Sequence, residues 1–74
     1  MKITLKLFAH FRDGRFKQDE RHLPEGTACS EVILSLGLRL SEMGIVMVNG
    51  QHARVDTCLQ HEDTLALFPL VGGG

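Results

Sequence analysis

The stretch GIVMVNGQHARV, Gly44 to Val55, carries the strongest local signal in the chain. Four apolar residues, Ile45 to Val48, run into Asn49-Gly50, the dipeptide that best tolerates the two positive φ angles of a type I′ turn. Gln51 to Val55 is then expected to return as an antiparallel partner strand. Downstream, Leu65 and Leu67 alternate within TLALF and predict a last strand, while Leu59 in the connector DTCLQHED reads as an anchor into the core. Upstream, Ile3, Leu5 and Leu7 alternate with Thr4, Lys6 and Phe8, again with the period of a strand. The Arg12-Asp13-Gly14 turn signal leads to a second, more polar strand in RFKQDERHL, so the first two strands are expected to form a hairpin.

Between the two strand regions lies one helical segment. Pro24 and Gly26 punctuate the chain, Thr27 is a candidate N-cap, and Glu31 suits the positive end of the helix dipole. Val32, Ile33, Leu36 and Leu40 fall along one helical face, which predicts a helix ending around Leu38 to Ser41. One amphipathic helix and about five strands bury their apolar surfaces together only if the helix lies across one sheet face. That arrangement is an α+β domain.

At 74 residues the chain is long enough for one thin core. Its formal net charge of -1 gives no electrostatic reason to expect nucleic acid or an anionic membrane as partner. No apolar run approaches the roughly 20 residues of a membrane span, and Met1 leads directly into a strand pattern with no signal peptide visible. A cytoplasmic location is the expectation. Cys29 and Cys58 are expected to be buried, reduced thiols, and neither they nor the scattered histidines His10, His22, His52 and His61 have metal-ligand spacing. No acid–base pair, activated nucleophile or phosphate loop is apparent, so the chain is not expected to be an enzyme by itself.

The order of elements resembles the β-grasp, or ubiquitin-like, fold. The C-terminal third is more specific: Val48-Asn49-Gly50, then Asp56, Leu59 and Asp63, then LALFPLVGGG, is similar to the MoaD/ThiS family of sulfur-carrier proteins. The opening ITLKLFAHFRD also resembles the first strand of molybdopterin synthase small subunits. The chain departs from that family in two places. His61-Glu62-Asp63 stands where Asp-Gly-Asp is common, and the middle region through LRLSEMG is shorter than in many of those subunits.

The resemblance implies a mixed sheet of about five strands on one main helix over residues 1–71, followed by a flexible glycine tail, 72–74. It implies a carrier whose reactive group is the Gly74 carboxylate, threaded into partners by Gly72 and Gly73. Phe68, Pro69, Leu70 and Val71 would bind the partner. An E1-like adenylyltransferase would adenylate Gly74 with ATP, a thiocarboxylate would form, and a larger synthase subunit would accept the sulfur. No cofactor or metal would be bound by the carrier itself. Molybdopterin or tungstopterin synthesis is the leading pathway. A thiamine-pathway carrier, or a ubiquitin-like modifier conjugated through Gly74, is the alternative; a β-grasp binding module with an idle tail is a third reading.

Overall fold

In the computed structural model, which describes residues 1–71, strands β1 (Lys2–Leu7), β2 (Gln18–His22), β3 (Met43–Val48), β4 (Gln51–His52) and β5 (Thr64–Pro69) form one sheet. Their order is β2-β1-β5-β3-β4. β1 and β5 are parallel neighbours at the centre, and every other pairing is antiparallel. The helix α1 (Cys29–Ser35) lies between β2 and β3 in sequence and packs on one face. This is the expected β-grasp, with five strands and one helix. The expected glycine tail, 72–74, lies outside the described residues.

Alternation decides which side chains meet the helix. Ile3, Leu5 and Leu7 of β1 and Leu65 and Leu67 of β5 are fully buried, and Val46 of β3 joins them. Cys29, Val32 and Ile33 of α1 close the core from above, with Phe11, Leu38 and Leu59 filling its edges. Leu59 is therefore the core anchor that its position suggested. A helix of seven residues is too short to be stable alone. Its fixed position comes from this burial and from its two ends.

Both ends differ from expectation. Thr27 is not the N-cap: its hydroxyl donates to the Pro24 carbonyl at 2.7 Å, and the residue is buried. Ala28 occupies the cap position without a side-chain bond. The free amides of the first turn are satisfied from across the chain instead, Cys29 N–H by the Thr57 carbonyl at 2.9 Å and Ser30 N–H by the Val55 carbonyl at 2.7 Å. The helix also stops at Ser35 rather than near Leu38 to Ser41. Gly37, at φ +79°, takes the left-handed position, and the Gly37 and Leu38 amides bond back to Leu34 and Ile33. This is a Schellman ending, and buried Leu38 supplies the apolar contact that accompanies it. The Arg15 guanidinium adds a bond from Nε to the Leu36 carbonyl at 3.1 Å.

The first hairpin is longer than the Arg12-Asp13-Gly14 signal implied. Ala9–Arg12 forms a 3-10 turn that buries Phe11 before the chain reaches β2. The Asn49-Gly50 turn forms as read, with φ of 53° and 77° and Val48 facing Gln51. The return strand is short, however: β4 covers only Gln51–His52 rather than running to Val55. From Val55 onward the chain turns to satisfy the helix N-terminus instead.

Glu62 occupies the left-handed region at φ 73°, in the turn that carries the chain from the connector into β5. Its amide donates to the Lys2 carbonyl at 2.7 Å, so the conformation is fixed from both sides. A Cβ in this region costs about 1–2 kcal/mol. Glycine removes that strain but adds freedom to the unfolded chain, worth about 0.4–1 kcal/mol. Glu62→Gly is expected to stabilise the protein by about 0.5–1 kcal/mol, read as a rise in the urea midpoint at unchanged m-value.

Candidate functional site: the exit of the last strand

β5 is held at both ends. At its start, the Asn49 side chain accepts from Thr64 N–H at 2.9 Å and donates to Asp63 Oδ1 at 2.8 Å, while Asn49 N–H donates to the Thr64 carbonyl at 2.9 Å. The turn residue thus doubles as a clamp on the next strand. At the other end, Leu70 N–H donates to the Glu42 carbonyl at 3.0 Å, and the Glu42 carboxylate in turn accepts from Arg39 N–H at 2.8 Å.

Gly44 makes this second clamp possible. The β3–β5 register shifts between Met43 and Ile45, leaving Gly44 as the extra residue of a bulge. A Cβ on Gly44 would lie 2.5 Å from the Pro69 carbonyl oxygen and 3.0 Å from Leu70 N. Only a glycine lets the two backbones approach this closely. Sequence reasoning missed it. A glycine at the start of an otherwise apolar strand run was the available signal.

The residues expected to meet a partner divide by face. Pro69 is buried and pairs with Met43, so it offers structure rather than contact surface. Phe68 is half-buried on the sheet face away from the helix, where its ring stacks on Phe8 at 4.2 Å between centroids and 11° between planes. The Arg12 guanidinium lies 5.1 Å from the Phe8 centroid on a bond from Nε to the Leu7 carbonyl at 2.6 Å. Ile45, opposite Phe68 in register, continues the apolar strip across β3 and is 41% exposed. Leu70 and Val71 are 60% and 94% exposed, so the chain leaves the sheet on this side with apolar side chains uncovered. Gly72, Gly73 and Gly74, the expected working end, lie outside the described residues.

The outer strip, Ile45–Phe68–Phe8, ends beside the point where the last strand leaves the sheet. It is an apolar centre with a cationic shoulder at Arg12. The chemistry such a surface offers is recognition, not acid–base catalysis. At the opposite end of the sheet, a shallow cleft of about 330 Å³ includes Asn49, His52, Cys58 and Asp63. Among the described residues no three His, Cys, Asp or Glu side chains gather as a metal site. No helix among those residues is long and apolar enough to cross a membrane.

The thiols behave differently from one another. Cys29 is buried in the core, and burial pushes its thiol pKa up from the ordinary value. Cys58, which the sequence reading also placed in the interior, is exposed. It sits opposite Ala28 in an isolated bridge, while its neighbour Leu59 takes the inward position.

With this geometry established, the chain was compared with known proteins. A model of the ThiS family matches residues 5–74, which spans most of the core, both clamps and the terminal glycines. The chain belongs to the ThiS family. It thus belongs with small sulfur carriers of β-grasp fold. Comparison with curated proteins returns no match. Among solved structures, a putative molybdopterin converting factor subunit 1 from Pyrococcus furiosus is 28% identical over 96% of this chain and 99% of its own, with a TM-score of 0.74. SAMP1 from Haloferax volcanii is 23% identical, with complete coverage of both chains and a TM-score of 0.76. A complex of subunits 1 and 2 of molybdopterin-converting factor from Helicobacter pylori contains a chain 17% identical, again fully covered, with a TM-score of 0.65.

Two outcomes test the ThiS-family site as described. Gly44→Ala drives a methyl group into the Pro69 carbonyl and is expected to cost about 1–3 kcal/mol, with loss of hydrogen-exchange protection at the Leu70 amide ahead of the core. A thiol reagent applied to the native protein is expected to label Cys58 quickly. Cys29 should react only on unfolding, and its stabilising contribution should fade as pH rises above the ordinary thiol range, because its raised folded pKa keeps the neutral form in the core.

Proposed function

We propose that this chain is a sulfur carrier for molybdopterin or tungstopterin synthesis, working through the carboxylate of Gly74. The observation that carries the reading is the family match running through residue 74, joined to a clamped last strand with Leu70 and Val71 exposed at its end. The likeness to a putative molybdopterin converting factor subunit favours this pathway over thiamine synthesis. A cytoplasmic setting accords with a substrate and partners of that kind.

An ionised carboxylate is a poor electrophile near neutral pH. An E1-like adenylyltransferase solves this by letting a Gly74 oxygen attack the α-phosphorus of ATP, releasing pyrophosphate and leaving an acyl adenylate. Sulfide, released from a persulfide donor by a thiol that is oxidised to a disulfide, then adds to the carbonyl carbon and AMP departs. The resulting thiocarboxylate passes its sulfur to a substrate held by a larger synthase subunit. The carrier's part is geometric. Residues Val71 to Gly74 span at most about 13–14 Å when extended, enough to bring the carboxylate into a narrow site while the folded body stays outside. Gly72, Gly73 and Gly74 have no Cβ to obstruct such a channel. Phe68, Leu70 and Val71 dock on the partner, and Pro69 fixes the end of the strand from within.

The overall likeness to SAMP1, which is also described as small archaeal modifier protein 1, keeps the second reading in view. A modifier shares the adenylation step, but a lysine amine rather than sulfide displaces AMP. The products separate the two. Incubation with ATP, a sulfur donor and candidate E1-like enzymes is expected to give an intact mass raised by one oxygen-to-sulfur exchange at Gly74. Conjugates of higher mass joined through lysine would support the modifier. Removal of Gly73 and Gly74 is expected to abolish loading with no change in thermal midpoint, and an unchanged loading rate would sink both readings.

A further inference from the structure

Asn49 is the only asparagine in the chain, and a glycine follows it. An asparagine amide is an electrophile within reach of the next backbone nitrogen. Attack by that nitrogen on Cγ closes a five-membered imide. The nitrogen–Cγ bond forms, the Cγ–Nδ2 bond breaks, and ammonia leaves with the displaced proton. Water then opens the ring, giving aspartate if it adds at Cγ and isoaspartate if it adds at the residue's own main-chain carbonyl. No oxidant or catalyst is needed. Glycine is the neighbour that hinders the attack least, because it has no Cβ beside its nitrogen. A Cβ built on Gly50 would meet nothing within 4 Å, so no neighbouring side chain covers that position.

The bonds that clamp β5 also hold this reaction off. Ring closure requires Cγ of Asn49 to swing towards the Gly50 nitrogen. In the fold, Oδ1 accepts from Thr64 N–H at 2.9 Å and Nδ2 donates to Asp63 Oδ1 at 2.8 Å, so both ends of the amide are committed to β5 and its entry. The Asn49 main chain is fixed as well, with its N–H on the Thr64 carbonyl. Asp63 is itself anchored, Oδ2 accepting from Gln60 N–H at 2.8 Å. These groups border the cleft of about 330 Å³, so water for ring opening is at hand once the amide is released. Neither product restores the clamp. Aspartate at this position has no donor and sets a second carboxylate against Asp63. Isoaspartate adds a methylene to the main chain of a two-residue turn.

We propose that Asn49-Gly50 is a self-cyclising modification site that the clamp on β5 keeps closed. Release of the start of β5 lets Asn49 react, and the change is irreversible. The strand is then pinned only at its Gly44 end. The chemistry needs no partner, so it is independent of the carrier reading. A reaction that proceeds only through a local opening is slowed by the unfavourable opening equilibrium.

The test follows the intact mass of the full chain at mildly alkaline pH, both native and unfolded in concentrated urea. The native protein is expected to undergo the amide-to-acid exchange at least about ten-fold more slowly than the unfolded chain. Peptide mapping should place the exchange at Asn49. Asp13-Gly14 closes a similar ring but loses and regains water, so it leaves the mass unchanged. Asp63→Ala, which removes the acceptor of Nδ2, is expected to raise the native rate several-fold and to leave the rate in urea alone. Gly44→Ala disturbs the other end of β5 and should keep the wild-type native rate, which separates clamp release from a general loss of stability. In the isolated isoaspartate form, hydrogen-exchange protection should fall at the Thr64 amide ahead of the core. Equal rates in the native and unfolded states would overturn the proposal. So would an Asp63→Ala variant that deamidates no faster than the wild type, a Gly44→Ala rate raised as far as that of Asp63→Ala, or unchanged protection at Thr64.

Discussion

Parallel pairing of β1 with β5 joins the two ends of the chain at the centre of the sheet, and the rest of the structure depends on it. Leu5 lies beside Leu65 and Leu7 beside Leu67, and all four side chains point into the core with no exposure. Each such side chain is worth about 1.5–3 kcal/mol when buried. The contact closes a loop of nearly the whole chain, so its entropy cost is met only once the helix, Leu59 and the hairpin have packed around it. Nothing local holds β5 in place. This makes the position of β5 a property of the complete fold.

The sheet's two faces divide the work. Odd-numbered positions of β1 and β5 hold the domain together through the helix. The even-numbered positions Phe8 and Phe68 build an aromatic stack on the other side, with Ile45 alongside. The reverse of the core strands thus carries an apolar strip, with Ile45 41% exposed.

Strand periodicity and turn chemistry were legible in the sequence because they are local. Ile3, Leu5 and Leu7, the Asn49-Gly50 turn, and Leu65 and Leu67 all declared themselves by pattern, and the terminal glycines pointed to the family. The failures share a different cause. Thr27 has the right side chain for a cap, but carbonyls of Val55 and Thr57, distant in sequence, had already met that need. Gly37 ended the helix a turn early because its neighbour Leu38 gains more from burial than from another helical turn. Gly44 looked like a weak strand residue, and its reason appears only when the Pro69 backbone is brought beside it. Exposed Cys58 likewise follows from the inward turn of Leu59. In each case the deciding partner lies far away along the chain.

The paired clamps on β5 also work as a gauge. A slip of one residue against β3 or β1 would exchange the faces, sending Phe68 inward and Leu67 out. It would also move the point at which the chain leaves the sheet by about 3.3 Å. Asn49 at one end and the Gly44 bulge at the other forbid that slip. Stability alone would have been served by the buried leucines. Fixing the point at which the chain leaves the sheet requires both ends of the strand to be pinned.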